Sequence, residues 1–138
     1  MIGCFLIIMA RQDHGDRRFK TLNLTSAKRR TIYFIGVTTT QSSIMKIYPE
    51  WAKILGLEDT EIVGIDIPIH EKEEVYREVV AFIKEDPLSA GALVTTHKID
   101  LYNATKDMFD YLCPFATSLG EISSISKRDG KLYGHAKD

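Results

Sequence analysis

From Thr31 onward the apolar positions fall into two alternating patterns. TIYFIGV (31–37) is a short run of β-branched and aromatic residues, bounded by the polar stretch TTTQSS, which predicts a buried strand. Ile44, Ile47, Tyr48, Trp51, Ile54 and Leu55 then recur at helical spacing. Ser42 or Ser43 is placed to cap that helix and Gly56 to end it. Pro49 inside the pattern predicts a kink or a later start near Tyr48. Trp51 and the rest of the apolar stripe are read as core.

The alternation repeats. EIVGIDIPI (61–69) predicts a second strand. Residues 71–86 predict a second helix, with acids in the first turn that complement its dipole and Val75, Tyr76, Val79, Val80 and Ile83 on one face; Pro87 ends it. GALVTT (91–96) is a third strand, and 98–112 carry a third helical pattern through Leu101, Tyr102, Met108, Phe109 and Leu112. EISSISK (121–127), an Arg128-Asp129-Gly130 turn and KLYGHA (131–136) read as a hairpin. Together these predict an α/β fold, a three-layer αβα sandwich with a mostly parallel sheet and one antiparallel strand.

Residues 1–30 show no sustained period past the apolar opening MIGCFLIIM, and are expected to be a mobile leader before a domain at 31–138. That opening lacks a positive flank and is too short to span a bilayer, so neither a signal peptide nor a membrane anchor is expected. The 138 residues fit one domain. A formal charge of −1 argues against nucleic acid and anionic membrane as partners. Two cysteines (Cys4, Cys113) and four scattered histidines (His14, His70, His97, His135) show no metal-ligand spacing. No metal is expected, the thiols are read as reduced, and the location as cytoplasmic. Cys113 reads as a buried thiol, His70 as a surface residue at a helix start, and Gln41 as either a pocket donor or a solvated residue.

Ligands of such sheets bind beyond the carboxyl ends of the strands, which here means TTTQSS and TTHK. Both loops are rich in hydroxyls, which suit a small carboxylate or polyol, and one ends in Lys98, a candidate proton carrier. Asp138, following the last strand, is a candidate partner for it.

The spacing of these pieces resembles the N-terminal, substrate-binding domain of the shikimate dehydrogenase family over about residues 31–138. That family has a Gly-x-Pro-Ile-x-His-Ser-x-Ser-Pro loop, occupied here by Gly36 to Met45, and a helix ending Leu-Gly-Leu, matched by Leu55-Gly56-Leu57. Its Gly-x-Asn-Val-Thr-x-Pro-x-Lys corresponds to the segment ending His97-Lys98. Its Gly-Ala-Val-Asn-Thr falls on Gly120 to Ser124. Its Asp-Gly-x-Leu-x-Gly-x-Asn-Thr-Asp falls on Asp129, Gly130, Leu132, Gly134 and Asp138. The family's second loop serine falls on Ile44, its Asn-Val on Ala92-Leu93, and the asparagine of Val-Asn-Thr on Ser123.

The resemblance implies a catalytic dyad of Lys98 and Asp138 on the substrate hydroxyl, with Ser42, Ser43, Thr95 and Ser123 around the substrate. His97 is read as a neighbour of this site rather than a base. The implied reaction is the NADP-linked interconversion of 3-dehydroshikimate and shikimate, in aromatic amino acid biosynthesis by way of chorismate, or of a related cyclic hydroxy acid. No Gly-x-Gly-x-x-Gly follows a strand, so NADP is expected to bind mainly a C-terminal Rossmann domain absent from this chain, which alone is expected to be inactive. The alternative is a non-catalytic module for a small carboxylate or a protein. A small hydroxy acid is the expected partner, and a homodimer is left open.

Overall fold

The computed structural model describes residues 22–137. The expectations for residues 1–21, including Cys4 and His14, and for Asp138 lie outside them.

Six strands form one sheet: β1 (Arg30–Gly36), β2 (Thr60–Asp66), β3 (Ser89–Val94), β4 (Tyr111–Leu112), β5 (Ser124–Arg128) and β6 (Lys131–His135), in the order β2-β1-β3-β5-β6-β4. β1 pairs parallel with β2 and β3, and β4 parallel with β6; β5 pairs antiparallel with β3 and β6. β5 is therefore the one strand running against the others, as expected from the sequence. Among the described residues the α-helices are α1 (Ser43–Leu55), α2 (Glu73–Glu85), α3 (Lys98–Thr105) and α4 (Pro114–Leu119). None of the described helices is long and apolar enough to cross a membrane.

The strand order explains the layering. The path β1-α1-β2 moves one way along the sheet and β2-α2-β3 moves back over it. Right-handed crossovers in opposite directions put α1 and α2 on opposite faces. α2 buries Val75, Tyr76, Val79, Val80, Phe82 and Ile83. They meet Tyr33 and Ile35 of β1, Ala92 and Val94 of β3, Ile125 of β5 and Leu132 of β6 in the main core, with Leu101 and Ala104 of α3. Leu22 and Leu24 pack against this core, and Ala27 N–H donates to Asp86 Oδ2 at 2.7 Å. The packed domain thus takes in residues from 22 on rather than beginning at Thr31.

Four local expectations need correction. α1 starts at Ser43, not near Tyr48. Tyr48 and Ala52, buried on either side of Pro49, hold the two turns together and offset the ~3 kcal/mol that an interior proline costs. Gly56 ends the helix as expected, at φ 69°, and the next N–H, that of Leu57, bonds Ala52 O at 2.7 Å. Trp51 is 52% exposed and not core; Tyr48 and Ala52 are the residues α1 buries.

The helix expected over 98–112 ends at Thr105. A single 3-10 turn (Lys106–Met108) follows, and Tyr111–Leu112 then pair with β6. Finally α4 was not foreseen. Cys113 caps it by accepting from Ala116 N–H, Pro114 fills its first turn and Gly120 ends it at φ 65°. The hairpin expectation holds. Asp129 and Gly130 both adopt positive φ (51° and 74°), the conformation of a two-residue turn that matches strand twist.

Candidate functional site

The carboxyl ends of the three parallel strands β1, β2 and β3 meet at Gly36. A Cβ built there would lie 3.1 Å from Thr95 Cγ2 and 3.2 Å from Thr39 Cγ2, so the loops after β1 and β3 touch across the glycine. Thr39 is buried and donates both its N–H (2.9 Å) and its hydroxyl (2.7 Å) to Asp66 Oδ1 at the end of β2. It rests on Gly64, where an added Cβ would stand 2.0 Å from Thr39 Oγ1. Ile67 N–H bonds Gly36 O at 2.8 Å, and Thr95 N–H bonds Ile35 O at 3.0 Å. The rim is thus built from backbone and hydroxyls.

Ser42 and Ser43 stand at the junction of the 3-10 turn Thr39–Gln41 with α1. Ser42 N–H bonds Thr39 O at 3.0 Å, but its hydroxyl makes no cap bond, and Ser43 is exposed. Gln41 is exposed too. After β3 the chain turns sharply: Thr96 has φ 56°, and His97 N–H bonds Thr95 O. His97 stands just before α3 and makes no side-chain cap bond, and half-buried Lys98 is the first residue of the helix.

Ser123 joins this turn to the end of β6. Its carbonyl accepts from Val94 N–H at 2.8 Å and its N–H donates to His135 O at 2.8 Å. Its hydroxyl accepts from Lys137 N–H at 2.9 Å and donates to His135 O at 3.3 Å. That leaves one lone pair for any other donor. One residue earlier, Ile122 N–H bonds Lys98 O at 3.0 Å. Thr95, Lys98, Ser123 and Lys137 are therefore gathered at one end of the sheet, with Ser42 and Ser43 reached through Thr39. Asp138 itself lies outside the described residues.

Three features near this end were not foreseen. One is the Thr39–Asp66 pair. The second is a polar chain behind Lys98. His97 is 1% exposed and its Nδ1 lies 3.1 Å from the Tyr76 hydroxyl on α2. Asp100, on the first turn of α3, has its Oδ2 2.8 Å from His70 Nδ1. Burial pushes the Tyr76 phenol up; a backbone bond from Glu71 opposes this, and the Asp100 and Glu71 charges add to it. His70 is exposed, as expected, though at φ 55°. The third is the setting of Cys113. The thiol is buried, as expected, and accepts from Ala116 and Ala136 N–H at 3.4 Å. Burial raises it, but these amides, that of Phe115 and the Lys137 charge outweigh burial and hold it below the ordinary thiol range.

Among the described residues no group of His, Cys, Asp or Glu could hold a metal ion. Nor does the turn after β1 fit a dinucleotide. A diphosphate needs open glycine backbone at a strand-to-helix turn, and Gly36, where β1 ends, is closed off by Thr39 and Thr95.

No protein-family model matches the chain. A 67-residue stretch, 49% of the chain, is 34% identical to a shikimate dehydrogenase (NADP(+)) of Bacillus cereus, of which it covers 23%. Among solved structures, shikimate dehydrogenase 1 from Peptoclostridium difficile superimposes with a TM-score of 0.63 at 21% identity, over 78% of this chain and 36% of that one. Shikimate 5-dehydrogenase from Listeria monocytogenes, solved with shikimate and NAD, gives 0.61 at 21% identity, over 82% and 37%. This is a divergent shikimate-dehydrogenase-like domain. It spans well under half the length of the relatives it matches.

Proposed function

We propose that this shikimate-dehydrogenase-like domain binds shikimate or a related cyclic hydroxy acid at the carboxyl ends of β1 and β3. In this reading Lys98 and Asp138 act on the hydroxyl that is oxidised. Lys98 takes its proton and returns it in the reverse direction, and Asp138 orients the pair. Ser42, Ser43, Thr95 and Ser123 bond the remaining oxygens of the ligand. The redox partner named for the Bacillus cereus relative, NADP(+), would be held outside the described residues.

The observation that carries the reading is the Ser123 junction. It fastens the backbone of Lys137, next in sequence to Asp138, beside the segment that bonds the Lys98 carbonyl. The test is a shikimate titration of the chain followed by NMR. Saturable shifts at Thr95, Lys98 and Ser123, lost in Lys98→Met, are expected; shifts that survive that substitution would refute the assignment.

Ile44, standing where the family has its second loop serine, supports a second reading, a non-catalytic module that holds a small carboxylate. Adding NADP and shikimate to the chain separates the two. Measurable turnover would exclude the module.

A further inference from the structure

The structure assigns a positioning role to His97, and this rests on the reading of Lys98 above. α2 grips α3 at both ends. At the far end Arg77 donates to Ala104 O at 2.9 Å and, through two nitrogens, to both Asp107 carboxylate oxygens at 2.7 and 3.0 Å, close to the surface. At the near end the grip is the buried His97–Tyr76 contact, with ring centroids 5.6 Å apart. Lys98 is the very next residue.

The chemistry of the near grip is unusual for a packing residue. The Tyr76 hydroxyl and His97 Nδ1 share one hydrogen bond at 3.1 Å. The other ring nitrogen, Nε2, is buried with no hydrogen-bond partner among the described residues. An orphaned buried polar nitrogen costs stability. A phenyl ring of similar size would fill the same space without that cost. A histidine here therefore disfavours the fold at one nitrogen while fixing the first turn of α3 with the other. Just before it the chain is already held in the strained φ of Thr96. Lys98 is the first residue of that turn, so we infer that His97 sets the direction of Lys98.

The test uses the whole chain with His97→Phe, His97→Asn, Tyr76→Phe and Lys98→Met. Two readouts are taken beside the melting temperature: shikimate affinity, and the 13C signal of reductively methylated Lys98, identified by its loss in Lys98→Met. His97→Phe is expected to melt at or above the parent temperature. It should also weaken shikimate on the order of tenfold and move the Lys98 signal to the position of solvated lysines. Tyr76→Phe should do the same to both readouts. His97→Asn, whose amide stands near the lost Nδ1, should restore them.

Parent-like affinity and an unmoved Lys98 signal in His97→Phe would overturn the role. So would a melting temperature that falls in step with both readouts and is not rescued by His97→Asn, because that is the behaviour of a plain packing residue. If the parent chain does not bind shikimate, or Lys98→Met binds it normally, the substrate reading fails, and the Lys98 signal still decides the positioning role.

Discussion

Ser123 Oγ accepts the Lys137 backbone N–H at 2.9 Å, across fourteen residues of chain. With Ser123 N–H on His135 O and Ser123 O on Val94 N–H, one residue ties the end of β6 to the end of β3. The hydroxyl is the weakest part of this junction and the part closest to the end of the chain. Ser123→Ala removes it and keeps both backbone bonds. The loss should be about 1 kcal/mol, the net worth of a partly exposed hydrogen bond. Amide exchange at Lys137 should quicken far more than exchange at Val94. Denaturant unfolding and hydrogen exchange check both; equal acceleration at the two sites would mean the hydroxyl is not what holds Lys137.

The rim of the site depends on Gly64 for a steric reason. A methyl there would stand 2.0 Å from Thr39 Oγ1 and 2.7 Å from Thr39 Cβ. Gly64→Ala must therefore displace Thr39 and break its two bonds to Asp66, costing roughly 2–4 kcal/mol. Thr39→Gly alone should cost about 1–2 kcal/mol for the lost hydroxyl bond and the freer backbone. In the double variant the clash is gone, so the two losses should fall short of their sum by 1 kcal/mol or more. Additive losses would show that Thr39 does not sit over Gly64.

This contact marks the boundary between what could and could not be read from the sequence. Strands β1, β2 and β3, helix α2 and the β5–β6 hairpin were legible because each is a local run with local punctuation, such as Pro87 after α2 or Asp129-Gly130 in the turn. The end of α3 was not. Leu101, Tyr102, Met108, Phe109 and Leu112 fit a helical period, but Asp110 N–H bonds Leu132 O and Tyr111 pairs with Tyr133. The partner strand that overrides the period lies some twenty residues further on. The same holds at the site. The hydroxyl-rich loops and Lys98 stood out by composition. Thr39 with Asp66 and Tyr76 with His97 are pairs 27 and 21 residues apart on separate elements, invisible to any window along the chain.

Tyr33 links the core to the alkaline limit of stability. Burial, then the charges of Asp86 and Glu61, then a hydrogen bond to Asp86 push its phenol up to about 12 from 10. The native state therefore holds the proton more tightly than the unfolded chain. The stabilisation is complete below pH 10 and is lost as the pH rises from there through about 12. It amounts to a few kcal/mol at most, since a shift of one unit corresponds to about 1.4 kcal/mol. Stability measured by urea unfolding from pH 9 to 12 should fall more steeply in the parent than in Tyr33→Phe. Parallel curves would mean that Tyr33 ionises as freely in the folded state as in the unfolded one.

Trp51 and Tyr76 are large aromatics on apolar helix stripes, and the pattern of residues alone gives them equal standing as core. The structure separates them, with Trp51 on α1 52% exposed and Tyr76 on α2 1% exposed. Truncating a buried aromatic removes its transfer energy, leaves a cavity and here also strands His97 Nδ1. Tyr76→Ala should therefore cost about 3–5 kcal/mol. Trp51→Ala gives up only the covered half of the indole and opens no closed cavity, so about 1–2 kcal/mol is expected. Thermal melts of the two variants compare them directly. A Trp51 loss equal to that of Tyr76 would mean that α1 is covered in solution by something other than the described residues of one chain.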